Sequence, residues 1–370
     1  MKIFETTTMN GLTLSNRLIR SATWEGMCDA EGRPTVKLRD CMQALARGGV
    51  GLVVTGYTCV SPEGRQNIGA MGIYADEPAD DFKQLTDAVH SAGGNIAIQL
   101  VHAGGQANTR VSGMPPVAPS AVKVDQYAEI PVELGRAQIN NIVEAFATGA
   151  RRAKSWGFDG IQLHGAHGYL INQFLSPLTN RRTDDYGGVI ENRCRFILDV
   201  YHGVRREVGP NFPVMIKLNA VDYLDGGLEA GDAVFAACRL DKVGIDAIEV
   251  SAGTGASGRW TPVRTRIKHP AQEAYNLDLA RRIKSEVICP VMVVGGFRSY
   301  EVVEKAIGES GMDYIAMSRP LIREPDLPRR WRDGDRRPAA CISCNGCFKP
   351  GVKEGGIYCV QEKKIKDKGE

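Results

Sequence analysis

Eight short runs rich in β-branched residues alternate with amphipathic segments along this chain, and that alternation limits its fold more than any other feature. The runs are RLIRSA (17–22), VGLVVT (50–55), NIAIQL (95–100), GIQLH (160–164), PVMIKLN (213–219), DAIEVSA (246–252), PVMVVGG (290–296) and YIAMSRP (314–320). Strands separated by helices predict a parallel sheet covered by helices. In NNIVEAFATGARRAKSWG, Ile142, Phe146, Gly149 and Ala153 share one stripe, with Arg151, Arg152 and Lys154 beside it. Gly48, Gly93, Gly157 and Gly209 stand where helices should end. A doubly wound sheet usually has five or six strands, so eight point to an α/β fold of the (β/α)8 TIM barrel type. The expected division is a barrel over residues 1–330 and a linker with a small cysteine-rich lobe over 331–370.

Composition narrows the partners. With 46 Lys and Arg against 43 Asp and Glu, the net charge is +3, and the body of the chain carries no basic block. Neither a nucleic-acid nor an anionic-membrane partner is expected from such a balance. The longest apolar stretches, VGLVVTGYTCV and PVMVVGGF, fall short of the ~20 residues a membrane span needs. MKIFETTTMNG lacks the apolar core of a secretory signal, so a cytoplasmic protein is expected. Six of the ten cysteines (Cys28, Cys41, Cys59, Cys194, Cys238 and Cys289) are scattered and read as small apolar residues kept reduced. The closing QEKKIKDKGE reads as a solvated tail.

Barrels build active sites at the C-terminal ends of their strands, and two long connections, 101–134 and 165–190, follow such ends. Gly253, Gly255 and Gly258 match a G-x-G-x-x-G spacing. RWTPVRTRIKHP follows, with Pro262 and Pro270 and no helical stripe, so the glycines read as a barrel loop on which Arg259 and Trp260 reach substrate. A phosphate site is expected later, where Gly295 and Gly296 end one strand and Ser318 and Arg319 end the next. The alternative is a tight turn with Arg319 paired to an acid. His164, His167 and Tyr169 open the loop after the fourth strand. The histidines suit donors to a substrate oxygen better than metal ligands, because no carboxylate stands where it would complete a metal site. The Tyr169 phenol suits proton delivery, or else packs at the base of the loop.

Together, HGAHGYLINQFLSPLTNRRTDDYGG (164–188), SNRLIRSAT, IQLVHAGGQA, GGFRS and SRP resemble the Old Yellow Enzyme family of FMN-dependent NAD(P)H oxidoreductases over residues 1–330. The resemblance implies FMN at the barrel mouth, with NAD(P)H as cosubstrate. Ala22 and Thr23 would line the flavin, Tyr57 would stand beside its ring, and Gln99 would bond its pyrimidine end. Lys217 would sit near N1 and O2, and Gly296, Phe297, Ser318 and Arg319 would hold the phosphate. His164 and His167 would grip the carbonyl oxygen of an activated alkene, with Tyr169 as proton donor. Two positions depart from the family pattern: Trp24 stands where Thr or Cys is common, and Lys217 where Arg is commonest.

Cys341, Cys344 and Cys347 are each separated by two residues, and Cys359 follows after eleven. Zinc knuckles usually come as two separated C-x2-C pairs, so this spacing favours a [4Fe-4S] cluster over zinc. The segment also resembles the iron-sulfur segment of 2,4-dienoyl-CoA reductases and trimethylamine dehydrogenase, whose flavin- and nucleotide-binding half this sequence does not contain. The resulting expectation is an ene-reductase acting on a small molecule, with an external electron carrier such as ferredoxin and a homo-oligomeric state. Competing readings are an amine-oxidising dehydrogenase or demethylase, a non-catalytic FMN/iron-sulfur electron carrier, and a flavin-free barrel acting on a phosphorylated metabolite.

Overall fold

The computed structural model describes residues 2–367, so the end of the expected solvated tail, 368–370, lies outside the described residues. All eight runs form strands: β1 Leu18–Arg20, β2 Leu52–Cys59, β3 Ile96–Val101, β4 Gly160–Gly165, β5 Val214–Asn219, β6 Ala247–Ser251, β7 Val291–Val294 and β8 Tyr314–Met317. Each pairs in parallel with the next, and β8 returns to β1 through Ile315 opposite Leu18 and Met317 opposite Arg20, closing a (β/α)8 barrel. The YIAMSRP run stops as a strand at Met317. Pro320 then sits in the first turn of the short helix Arg319–Arg323, where its missing N–H is harmless.

The helix Arg136–Ser155 buries Ile142, Phe146, Gly149 and Ala153 against the barrel, as the stripe predicts. Gly149 allows close packing, since a Cβ there would lie 3.1 Å from the Ile73 side chain. Gly93, Gly157 and Gly209 follow helices with φ of +76°, +89° and +77°. Gly48 departs from that expectation: it keeps φ −72°, and Gly49 takes the left-handed role at +83°. Space explains Gly48, because a Cβ would lie 1.9 Å from the Pro325 carbonyl oxygen.

An antiparallel hairpin, Thr7–Met9 with Leu12–Leu14, packs Met9 and Leu14 against Ile19, Leu52, Met215, Met292 and Tyr314 inside the barrel. A second core lies between strands and helices. Packing of the lower interior leaves the C-terminal ends of the strands to form a cavity. No helix among the described residues is long and apolar enough to cross a membrane.

Candidate active site

The strand ends and their loops enclose a cavity of about 310 Å3. Polar residues that point inward from apolar strands build its floor. Gln99 Nε2 donates to Gln162 Oε1 at 2.7 Å, and Gln162 Nε2 donates to Glu249 Oε2 at 2.7 Å. Ser21 Oγ donates to Glu249 Oε1 at 2.6 Å, and Lys217 Nζ donates to Ser21 Oγ at 2.9 Å. Lys217 and Glu249 also form an ion pair at 3.2 Å. Burial lowers the Lys217 pKa, and the Glu249 charge opposes that shift. An ammonium has three donors, so one remains for a ligand above the floor.

On one wall, the His164 and His167 rings stand edge to face at 5.1 Å, and Tyr169 lies 4.6 Å from His164. His164 Nδ1 accepts the Ala166 N–H at 3.4 Å, which leaves the ring proton on Nε2. His167 Nε2 meets the Ser251 hydroxyl at 2.8 Å, so Nδ1 is its free nitrogen. His167 holds φ +62°, a left-handed conformation unusual for a side chain with a Cβ, fixed by Gln106 donating to its carbonyl at 3.0 Å. Burial first, and then the neighbouring charges, hold both imidazoles neutral, with His167 lowered to about 3. Tyr169 donates to Gln66 Oε1 at 2.7 Å, and burial raises its pKa, so the phenol keeps its proton. Tyr57 lies 5.8 Å from Tyr169 and accepts from Asn67 at 2.6 Å.

The opposite end is lined by Gly296, Phe297, Arg298, Ser318 and Arg319. Arg319 is only 7% exposed, yet Nη1 donates to two neutral acceptors, the Arg264 carbonyl at 2.8 Å and Asn345 Oδ1 at 2.5 Å. No carboxylate pairs with it among the described residues. A buried guanidinium without a counter-ion is a receptor for an anion. Gly296 has φ +76°, and a Cβ there would lie 2.8 Å from the Tyr275 ring. Gly295 stands behind this wall, its carbonyl accepting the Tyr275 N–H. Thr23 meets the Ser318 hydroxyl at 2.6 Å, and Ala22 and Trp24 complete that side. Trp24 Nε1 is buried with no partner, an orphaned donor that suits a bound polar group. The cavity thus offers a polar floor and, at the opposite end, a buried guanidinium that no carboxylate neutralises, a lining that can hold an elongated group with a phosphate tail.

Arg259 and Trp260 do not line this cavity; Thr261, Pro262 and Val263 do. Gly258–Trp260 is a single turn and no α-helix begins before Leu277, so the glycine-rich stretch is a loop. The sequence reading missed Ser21, Gln162, Glu249 and Ser251. Polar residues inside apolar strands were the available signal for the middle two.

Cys341, Cys344, Cys347 and Cys359 line a second, small cavity whose wall includes Arg319. Ser343 and Asn345 between them hold left-handed φ of +54° and +58°. Among the described residues, no three His, Cys, Asp or Glu side chains close into a metal-holding group. The C-terminal segment packs on the barrel through Ile357 N–H to the Glu25 carbonyl and through the Trp24 indole against Gly351. Its Ser343 and Phe348 line the central cavity.

The model of the NADH:flavin oxidoreductase / NADH oxidase family matches residues 2–337. An NADH oxidase of Thermoanaerobacter brockii is 36% identical over 352 residues, which are 94% of this chain and 53% of that protein. An NADPH dehydrogenase of Geobacillus sp. is 37% identical over 327 residues, 88% of this chain and 92% of that protein. A solved complex of 2-naphthoyl-CoA reductase with 2-naphthoyl-CoA superposes with TM-score 0.89 at 28% identity, covering 96% of this chain and 56% of that one. The chain therefore spans about half the length of the NADH oxidase and of the 2-naphthoyl-CoA reductase.

Proposed function

The chain belongs to the NADH:flavin oxidoreductase / NADH oxidase family, and from that premise we propose that it reduces carbonyl-conjugated alkenes with NAD(P)H through FMN held at the barrel mouth. The observation that carries this reading is the neutral pair His164 and His167, set edge to face above the Lys217–Glu249 floor with a protonated Tyr169 alongside. When bound, FMN supplies the two-electron carrier between nicotinamide and alkene.

The residues present fit that group. Arg319, Ser318 and Gly296 offer the phosphate end, Ala22, Thr23 and Trp24 one side, and Gln99 with Lys217 the polar end. His164 presents Nε2–H, and His167 a second ring nitrogen, to the substrate oxygen, where donors fixed before reaction stabilise growing negative charge. Because neither imidazole is charged, each has one N–H: His164 donates through Nε2, and His167 donates through Nδ1 in the tautomer whose Nε2 accepts the Ser251 hydroxyl. Tyr169 holds its proton at Oη, with Gln66 fixing the direction of the hydroxyl. Resemblance to the NADPH dehydrogenase and to 2-naphthoyl-CoA reductase supports NAD(P)H as reductant, and either free enones or acyl thioesters as substrates.

We further infer that Cys341, Cys344, Cys347 and Cys359 hold a [4Fe-4S] cluster, with zinc as the alternative, and that the cluster serves a one-electron carrier such as ferredoxin. Support comes from the spacing and from the one cavity that all four residues line; no step of the alkene reaction is routed through it.

Two experiments test the reading. Heat-denatured holoenzyme should release free FMN, and FAD or a covalently retained flavin overturns the cofactor assignment. Anaerobic mixing of NADPH-reduced protein with 2-cyclohexenone should restore the oxidised flavin absorbance. A panel of enones and enoyl thioesters that all leave the flavin reduced overturns the reaction.

A further inference from the structure

Beside the central cavity, the connection from β6 to the helix Leu277–Lys284 builds an open cleft of about 510 Å3. The two share Thr261, Val263 and Tyr275 as lining residues, so the cleft lies directly beside the central cavity. The cleft carries cations that nothing neutralises. Arg259 and Arg264 line it, Arg266 and Lys268 follow closely in the chain, and none of the four forms an ion pair among the described residues. The carboxylate on the cleft wall, Glu273, is buried, and its oxygens accept from the N–H groups of Arg298 and Ser299 and from the Ser299 hydroxyl.

Aromatic rings fix the most enclosed of these cations. The Arg264 guanidinium lies 4.3 Å from the Tyr275 ring centre, 4.7 Å from Trp260 and 5.7 Å from Tyr223. Arg259 lies 4.7 Å from Trp260, which stacks on Tyr223 at 5.4 Å. Arg264 Nε is buried without an acceptor. A guanidinium held by rings rather than by a carboxylate is placed in advance while its N–H groups stay free for an anion. Guanidinium planes and aromatic faces are also the surfaces on which nucleobases stack, and Trp260 is 39% exposed.

We propose that this cleft binds an adenosine bearing a second phosphate on its ribose, the distal end of a ligand whose reactive end enters the central cavity. The proposal rests on the reading of the central cavity as a nicotinamide- and enone-reacting site. Two sources share this chemistry: a dinucleotide with a 2′-phosphate and an acyl thioester built on a 3′-phosphorylated nucleotide. Arg264 and Arg259 donate to the phosphates, while the guanidinium planes and the exposed Trp260 ring, between the lining residues Arg259 and Thr261, stack with the base.

The test is calorimetric titration of the FMN-loaded protein with 2′,5′-ADP, 3′,5′-ADP and AMP. At least one bisphosphate should bind at least about tenfold more tightly than AMP, the gain of one charge-assisted contact. Arg259→Ala and Arg264→Gln should each weaken it by about tenfold, with FMN content and thermal midpoint near wild type to exclude misfolding. Preference for the 2′-phosphate assigns the cleft to the dinucleotide, and preference for the 3′-phosphate assigns it to the thioester. Equal affinity for AMP and both bisphosphates, or unchanged binding by both variants, overturns the proposal. If a bisphosphate binds but neither NAD(P)H nor any enone changes the flavin spectrum, the cleft stands and the reading of the central cavity falls. If NADPH reduces the flavin but no bisphosphate binds, the reverse holds.

Discussion

Lys217 and Glu249 face each other at 3.2 Å on the cavity floor, with side chains 3% and 0% exposed. Such a pair is stable only when most of its remaining polar atoms are also satisfied, here by Ser21 and Gln162, with one Lys217 donor left for a ligand. Glu249→Gln should therefore destabilise the protein by about 3 kcal/mol or more, as expected for a buried cation left alone. Adding Lys217→Met should restore much of that loss. Urea unfolding of the two single variants and the double variant gives the coupling.

His164→Ala should slow enone-driven reoxidation of the flavin by on the order of 10²-fold, the size expected when a donor to growing charge is lost. Reduction by NAD(P)H should change less. Stopped-flow traces of the two half-reactions separate these outcomes.

The same histidines set a pH dependence of stability. Burial lowers both, His167 to about 3, whereas an unfolded histidine titrates near its ordinary 6.5. Between about pH 3 and 6.5 the unfolded chain binds more protons, so stability rises with pH across that window. His167→Asn should flatten the rise by at most about 2 kcal/mol between pH 5 and 6.5. Denaturant midpoints at these two pH values measure it.

Arg319→Ala should remove the preference for FMN over riboflavin, because the guanidinium is an uncompensated buried cation at the proposed phosphate end. FMN affinity should fall by about tenfold or more, and riboflavin affinity should hardly change. Flavin fluorescence quenching on reconstitution reads both.

Cys344→Ser should abolish iron retention after anaerobic reconstitution and leave FMN content unchanged, since Cys344 faces the small cavity and not the central one. Iron, sulfide and zinc assays on wild type and variant decide between cluster and zinc.

Much of this architecture was legible in the sequence because buried parallel strands and amphipathic helices have distinct periods, and all eight runs kept their places. The cavity lining was legible where residues sit at or just beyond strand ends, as His164 and Arg319 do. Contacts between distant strands were less so. Glu249 stood in plain view within DAIEVSA, but its partners Ser21, Gln162 and Lys217 come from three other strands or strand ends, and only closure brings them together. Arg259 and Trp260 were noticed, yet the turn at Gly258–Trp260 puts Arg259 on the wall of the neighbouring cleft and leaves Trp260, 39% exposed, beside it. Trp24 looked like a departure from a family pattern, and its indole packs so close to Gly351 that a Cβ there would lie 2.9 Å from it.

The seam between β1 and β8, the Glu25 carbonyl bonded to Ile357 and the wall positions of Ser343 and Phe348 all join regions far apart in the chain. Contacts at such separation form late, after the entropy of closing the long intervening loop has been overcome. A growing chain, extended at about 5–20 residues per second, can lay down most of the strands and still lack a finished mouth. The mouth reaches its final shape only after Ile357 has emerged, so a ligand that needs the whole wall is captured after that point of synthesis.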